Sequence, residues 1–358
     1  MKIVAIVGAR PQFIKHFPFE KACKGKLELI TIHTGQHYDT NMSDIFFNQL
    51  GMKEPNYMLN IGSGNHGVQT ARMMIDIEKI LEDEKPGGMI VYGDTNSTLA
   101  GALVAVKLQI PLFHIEAGLR SYNKEMPEEV NRLITDHISS GLFVPSKLAT
   151  QNLEKEGIKN NVFNFGDIMK DLLIYVKKNQ LLNNIEIEEE YYYVTIHRPY
   201  NTDDKERLYY VLNSLNILKN KVIMSVHPRT ANLMNYFEFK KDNFSNISFI
   251  DPQSYFNNLS YLGNSIGLIT DSGGMQKEAY WLEKKCITIR KETEWIETLK
   301  NECNTLLFED LSNIQDILNN TNSIWNSNLY GDGNSCKKIV EQILIDLKKK
   351  LNYENKKF

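Results

Sequence analysis

The feature that most limits what this chain can become is a recurrent unit: a short apolar run that ends in a polar or glycine-bearing turn and opens into a helical stretch. In the first half such runs lie at Lys2–Val7, Leu27–Thr34, Gly88–Tyr92, Ile110–Glu116, Gly141–Val144 and Val162–Phe165. Between them, Val68–Leu81 carries Met74, Ile77, Ile80 and Leu81 on roughly one stripe, and Ser97–Leu108 is small and apolar, as a helix packed on a sheet is. A polar segment rich in Asn and Glu, Lys177–Glu190, interrupts the alternation and reads as a linker. Runs resume at Tyr191–Ile196, Lys221–Val226, Ile247–Ile250, Gly267–Thr270, Cys286–Ile289 and Thr305–Phe308, and Ser335–Leu351 reads as a long closing helix. Alternating strands and helices predict parallel, doubly wound α/β sheets, here two Rossmann-like units. Such a pair binds its ligand in the cleft between the units, near the carboxyl ends of the strands.

Length and charge fit that reading. A chain of 358 residues is long for one core, so two domains are expected. A formal net charge of −3 offers no overall attraction to nucleic acid. The four cysteines form neither a CxxC pair nor a cluster with histidine, and no two histidines have helix-face metal spacing, so reduced thiols and no metal are expected. The apolar run at Met1–Val7 is too short for a signal or a membrane span and turns directly into Gly8-Ala9-Arg10-Pro11; the expectation is a cytoplasmic protein without a membrane partner.

The polar residues gather where strands end. The clearest case is Thr270-Asp271-Ser272-Gly273-Gly274, between an apolar run and the helix expected at Met275–Leu282. Such a turn collects unpaired N–H groups and the positive end of a helix dipole, which suits a phosphate; Ser272 adds a hydroxyl, and Glu278 lies where it can accept from ribose hydroxyls. A capped turn with a surface glutamate is the plainer alternative. Arg10 and Lys15, after the first strand, are either an anion clamp or ordinary surface cations. Asp94, in Gly93-Asp94-Thr95, is either a helix cap or an acid/base group. His114 and Glu116 share a strand face at period two, where a charge needs a task. Pro127 followed by Glu128 and Glu129 marks a helix start, and Glu129 reads as structural. His197-Arg198 and His227-Pro228-Arg229 each end a strand with a histidine near an arginine, which favours an anionic ligand.

Together these segments resemble the non-hydrolysing UDP-N-acetylglucosamine 2-epimerases. The likeness rests on Gly8-Ala9-Arg10-Pro11-Gln12-Phe13-Ile14-Lys15, Gly93-Asp94-Thr95, His114-Ile115-Glu116-Ala117-Gly118-Leu119-Arg120, Pro127-Glu128-Glu129-Val130-Asn131-Arg132, Thr270-Asp271-Ser272-Gly273-Gly274, Thr293-Glu294 and Tyr330-Gly331-Asp332-Gly333, in the family's order. The resemblance implies a glycosyltransferase-B-like fold. Residues 1–167, with a returning C-terminal helix at 340–358, would form the first Rossmann-like domain, and 168–339 the UDP-binding one. It implies a homodimer acting on a UDP-sugar without a cofactor. On matching positions, Asp94, Glu116 and Glu128 look like the catalytic carboxylates and His197 like the active-site histidine. Arg10, Lys15, Arg132, Ser272, Gly273, Gly274 and Glu278 fall on positions that hold the nucleotide sugar, and His227 and Arg229 stand beside them.

The chain departs from the family at Ala9-Arg10-Pro11-Gln12, where the main branch has Thr-Arg-Pro-Glu, and at Thr293-Glu294-Trp295-Ile296-Glu297, where it has Thr-Glu-Arg-Pro-Glu. Both variants look like the branch acting on UDP-2,3-diacetamido-2,3-dideoxyglucuronic acid, whose C6 carboxylate His227 and Arg229 would suit. The family's allosteric loop is matched only at Gln36-His37. The reaction implied is loss of UDP to a 2-acetamidoglycal and its re-addition after the C2 proton returns on the other face, in a bacterial surface-polysaccharide precursor route. A glycosyltransferase of the same fold is the rival; it would need an acceptor site that the sequence does not display.

Overall fold

The structure is a computed structural model that describes residues 1–36, 51–183, 185–320 and 322–354, with the side chains of Arg10, Tyr353 and Glu354 outside the description. The chain divides into two compact units, Met1–Tyr175 with Asn328–Phe358, and Val176–Ser327.

In the first unit the order is β1 (Lys2–Val7), α1 (Arg10–Cys23), β2 (Glu28–His33), β3 (Tyr57–Met58), α2 (His66–Glu84), β4 (Gly88–Tyr92), α3 (Asn96–Lys107), β5 (Leu112–Ile115), α4 (Pro127–Ile138), β6 (Gly141–Val144), α5 (Lys147–Lys155), β7 (Val162–Asn164) and α6 (Ile168–Lys178). Its strands form one parallel sheet in the order β3-β2-β1-β4-β5-β6-β7. The second unit runs β8 (Tyr191–Thr195), α7 (Pro199–Thr202), α8 (Lys205–Asn216), β9 (Lys221–Ser225), α9 (Pro228–Tyr236), β10 (Ile247–Ile250), α10 (Tyr255–Asn264), β11 (Gly267–Thr270), α11 (Gly273–Trp281), β12 (Lys285–Ile289), β13 (Asn304–Leu307) and α12 (Ile314–Asn319). Its sheet is also parallel, in the order β10-β9-β8-β11-β12-β13.

The apolar runs are continuous because helices cover both faces of each sheet. Ile3 to Val7, Met89 to Tyr92 and Leu142 to Val144 are buried, as are Tyr191 to Val194 and Leu268 to Thr270. Each fully buried branched or aromatic side chain contributes roughly 1.5–3 kcal/mol. In both sheets the strand order reverses beside the first strand of the unit, between β1 and β4 and between β8 and β11. At such a switch point neighbouring loops leave in opposite directions, which opens a crevice at the carboxyl ends of the strands.

After the second unit the chain returns to the first and closes with α13 (Ser335–Glu354), which packs on α1. The Tyr330-Gly331-Asp332-Gly333 segment seats this helix. Asp167 N–H donates to the Tyr330 carbonyl at 2.8 Å, Lys170 Nζ donates to the carbonyls of Leu329 at 3.0 Å and Gly331 at 2.5 Å, and the Asp171 carboxylate accepts from the N–H groups of Ser335 and Cys336 at 3.1 and 2.7 Å. The closing helix thus begins at Ser335, and residues 355–358 of the expected 340–358 lie outside the described residues.

Three expectations shift. The linker at Lys177–Glu190 starts later, because Lys177 and Lys178 belong to α6. The helix expected at Met275–Leu282 begins two residues earlier, so Gly273 and Gly274 are its first turn. Most consequentially, β5 stops at Ile115. His114 and Glu116 therefore do not share a strand face; Glu116 is turned out of the strand into the left-handed region at φ 67°. The N–H groups of Glu116 and Ala117 both donate to the Phe143 carbonyl at 3.1 Å, and that shared acceptor fixes the turn.

Candidate active site

In the first unit the switch point brings together the turns after β1, β4 and β5. Lys15, on the second turn of α1, meets Glu116 with Nζ 2.7 Å from Oε1, both side chains mostly buried. Burial works against the lysine's charge, but the charge and hydrogen bond of Glu116 outweigh it, with Asp94 and Asp167 adding, so its pKa is raised. Gly93 turns beside this pair: a Cβ there would lie 3.5 Å from Lys15 Nζ and 3.7 Å from Glu116 Oε1.

Asp94 does not cap α3. Thr95 does, its hydroxyl accepting from the N–H of Thr98, which leaves the Asp94 carboxylate to pair with Arg132 at 2.6 Å. Burial raises the Asp94 pKa more than Arg132 and Lys15 lower it, and the charges of Glu116 and Glu128 push the same way as burial. Glu128 is exposed in the first turn of α4. Glu129, beside it, is 1% exposed and structural, as its sequence context suggests: its carboxylate accepts from the N–H groups of Ser121 and Tyr122 at 2.9 and 3.0 Å and from Arg132 Nε at 3.2 Å. Glu129 therefore holds the guanidinium that reaches Asp94. The side chain of Arg10 and residue His37 lie outside the described residues.

The loop carrying Asp94 is tied down through its own carbonyls. Gln12, 2% exposed, accepts from the N–H groups of Gly8 and Ala9 and donates to the Tyr92 carbonyl at 2.8 Å and to the hydroxyls of Thr95 and Thr98. A carboxylate at that place would set an oxygen against the Tyr92 carbonyl; the amide presents a donor there.

The second unit's switch point is built on Asp271, which the sequence reading passed over. Its fully buried carboxylate accepts from the N–H of His197 at 3.0 Å, from the N–H of Arg198 at 2.9 Å and from Asn201 Nδ2 at 3.1 Å, and His197 Nδ1 stands 3.1 Å from it. Burial alone would raise its pKa, but the hydrogen bond and charge of His197, with Arg198 and Asn201, bring it below the ordinary value. With Nδ1 directed at Asp271, Nε2 is the ring nitrogen left for a ligand. The His197 ring lies 5.3 Å from that of His227. His227 caps α9, its Nδ1 accepting from the Arg229 N–H, whereas the Arg229 guanidinium pairs at the surface with both oxygens of Asp203 at 2.6 Å.

Ser272 precedes α11 and makes no side-chain bond to its first turn. A Cβ on Gly273 would stand 3.1 Å from Glu294 Oε1 and 3.6 Å from both Arg290 Nη1 and Trp295 Nε1, so this turn is closely faced by those three side chains. Arg290 pairs with Glu294 at 3.0 Å. Gly274 is open, and Glu278 is buried one turn further along. Behind the turn, Lys277 Nζ lies 3.7 Å above the Trp295 ring, a buried cation–π contact. Arg290, Trp295 and Asp271 carried no separate signal in the sequence beyond lying in or beside strand-end motifs.

The two switch points supply different chemistry. The first holds carboxylates paired with cations, one of them with a raised pKa, as proton transfer requires. The second presents a helix N-terminus, a histidine and an arginine, as a phosphate requires. Among the described residues there is no group of three His, Cys, Asp or Glu placed to hold a metal ion, and no helix is long and apolar enough to cross a membrane.

Comparison with known proteins places the chain in a family. A family model described as UDP-N-acetylglucosamine 2-epimerase matches residues 21–344. A UDP-N-acetylglucosamine 2-epimerase homolog of Methanococcus maripaludis is 47% identical over 95% of this chain and 99% of its own. The UDP-2,3-diacetamido-2,3-dideoxy-D-glucuronate 2-epimerase of Pseudomonas aeruginosa is 43% identical over 86% of this chain and 88% of its own. The crystal structure of Methanocaldococcus jannaschii UDP-GlcNAc 2-epimerase, in complex with UDP-GlcNAc and UDP, superposes with a TM-score of 0.86 at 40% identity, covering 96% of this chain and all of that one. This chain belongs to the UDP-N-acetylglucosamine 2-epimerase family.

Proposed function

We propose that this isomerase interconverts UDP-N-acetylglucosamine and UDP-N-acetylmannosamine without hydrolysing them. A base removes the C2 proton while the C1–O bond breaks and its electrons leave with UDP. The intermediate is a 2-acetamidoglycal. A proton then returns to the opposite face of C2, and UDP re-adds at C1. The observation that carries this reading is the pairing of Lys15 with Glu116 and of Arg132 with Asp94 at one switch point. Asp94, Glu116 and Glu128 move the protons; burial raises the Asp94 pKa, which favours it as the acid of the three. His197, oriented by Asp271, acts on the leaving diphosphate from the second unit, with Arg10, Lys15, Arg132, Ser272, Gly273 and Gly274 as its further donors. Glu278 accepts from the ribose hydroxyls.

A second reading keeps the reaction and changes the sugar to UDP-2,3-diacetamido-2,3-dideoxyglucuronic acid. Gln12 and Trp295 favour it, as does the Pseudomonas relative. His227 then faces the added carboxylate, and Arg229 must exchange Asp203 for it. Incubation with each UDP-sugar separately decides: epimer from the first confirms the main reading, epimer from the uronate alone replaces it, and none from either overturns both. The enzyme works as a cytoplasmic homodimer supplying a surface polysaccharide; exposed Val68 and Ile75 on α2 and Val130 and Ile134 on α4 are apolar surface that self-association would cover.

A further inference from the structure

His114 is a buried titratable group that the chemistry above leaves without a task. It and Asp136 are fully buried, the first on β5 and the second on α4. Its Nδ1 is 2.6 Å from Asp136 Oδ1, and its Nε2 is 2.7 Å from the carbonyl oxygen of Gly93. Both partners are acceptors. A neutral imidazole has one N–H, so two such contacts need a second hydrogen, on the ring or on the carboxyl. The surroundings of Asp136 decide where it goes. Its carboxylate also accepts from the Gly118 N–H at 3.0 Å and pairs with Arg120 Nη1 at 2.7 Å. The two neighbours of Asp136 other than His114 are thus fixed donors, one of them a guanidinium, and they favour the ionised carboxylate, which leaves the second hydrogen on the ring.

The remaining charges nearby are matched. Glu156 takes Arg120 by Nε at 2.6 Å and Nη2 at 2.7 Å; Lys15 holds Glu116; Arg132 holds Asp94 and Glu129.

The placement of the pair is what gives it consequence. Gly93 immediately precedes Asp94, and Gly118 follows Glu116 by two residues. One side-chain pair therefore grips the backbone of both carboxylate-bearing turns. The flanking carbonyls are tied as well, Tyr92 to Thr98 Oγ1 at 2.6 Å and Asp94 to Asn131 Nδ2 at 2.9 Å.

We propose that His114 and Asp136 form a buried imidazolium–carboxylate pair whose work is to set the two carboxylate turns at a fixed separation, so that both are positioning residues for the epimerisation. This rests on reading Asp94 and Glu116 as the proton-transfer groups. The pair touches no substrate; it acts through the Gly93 carbonyl and the Gly118 N–H, in the way an orienting carboxylate acts through the histidine it holds.

Two measurements on the full chain test it. In the first, histidine ring nitrogens labelled with 15N are observed at about pH 7.5, above the ordinary histidine pKa of ~6.5. The His114 signals are identified by their loss in His114→Gln. Two protonated nitrogens are expected; one bare nitrogen overturns the pair. In the second, His114→Gln, Asp136→Asn and the double variant are assayed for turnover, KM and UDP affinity. Turnover falls roughly ten- to a hundredfold in each single variant with KM and UDP affinity within about twofold, and the double variant loses no more than the worse single one, as residues acting as a unit do. Losses that multiply, or turnover within about twofold of wild type in His114→Gln, overturn the positioning role. If Asp136→Asn does not fold, the wild-type nitrogen signals still decide the pair; if His114→Gln does not fold, those signals are assigned instead by through-bond correlation to the His114 backbone in the wild type. A wild type that does not epimerise sinks the functional reading, while the same signals answer separately for the ion pair.

Discussion

Asp94 and Glu116 are the residues proposed to move the protons, and each stands opposite a cation at 2.6–2.7 Å. Replacing either by its amide keeps shape and removes the proton-transfer group. Asp94→Asn and Glu116→Gln are each expected to lower turnover at least ~100-fold while UDP still binds, measured by coupled assay and calorimetry. Asp271 carries a different prediction. Its folded pKa is depressed, so its stabilisation is complete well above the unfolded value of ~3.9 and drains away as pH falls through the folded one. Asp271→Asn sets an NH2 against donors and is expected to cost the second unit roughly 2–3 kcal/mol at neutral pH, the gap to wild type narrowing as pH falls below the unfolded value of ~3.9. Urea unfolding followed by tryptophan emission reads it, because Trp281, Trp295 and Trp325 all lie in that unit. At this scale the sequence showed which strand ends are polar and, through motif order, which residues to propose for the chemistry. It did not show Asp271, Asp136 or Gln12, whose partners are backbone groups up to some eighty residues distant in the chain. Pattern and period say nothing of where such an acceptor lands.

The elements were legible because each buried strand is a continuous apolar run and each turn is punctuated by glycine or a polar cluster. Where reading and structure part, a tertiary contact has overridden local pattern. The Phe143 carbonyl on β6 takes two N–H groups at the end of β5 and turns Glu116 out of the strand. The two-residue β3 exists only because β2 offers it an edge. The turn after Glu116 yields a prediction of its own. Gly118 and Gly157 both have positive φ, 77° and 84°, but a Cβ on Gly118 would lie 2.5 Å from the Ala149 carbonyl oxygen whereas Gly157 has nothing within 4 Å. Gly157→Ala should cost only the ~1–2 kcal/mol of a left-handed alanine. Gly118→Ala should cost distinctly more and depress turnover, because the Glu116 turn must move. Paired thermal melts and assays compare them; equal shifts in Tm with unchanged turnover would contradict the contact.

At the scale of the whole molecule, two parallel sheets share the same reversal of strand order: one unit gathers cations and carboxylates there, proposed for proton transfer, and the other a helix N-terminus and an oriented histidine, proposed for the diphosphate. The two parallel α/β units were readable from two series of strand–helix alternation separated by a polar break, and from the family likeness at their ends. The choice of sugar was not, since it depends on how side chains such as Trp295 and Arg229 share their partners. Because Trp295 stands beside Gly273 at the proposed diphosphate site, UDP should quench tryptophan emission, and Gly273→Val should abolish the quenching; emission indifferent to UDP would speak against that site. The most direct test of the account is a proton NMR time course of UDP-N-acetylglucosamine with the enzyme in deuterium oxide. The account predicts deuterium at C2 and growth of the manno epimer with UDP still attached to C1. Epimer that keeps its C2 hydrogen, or release of free sugar, would contradict it.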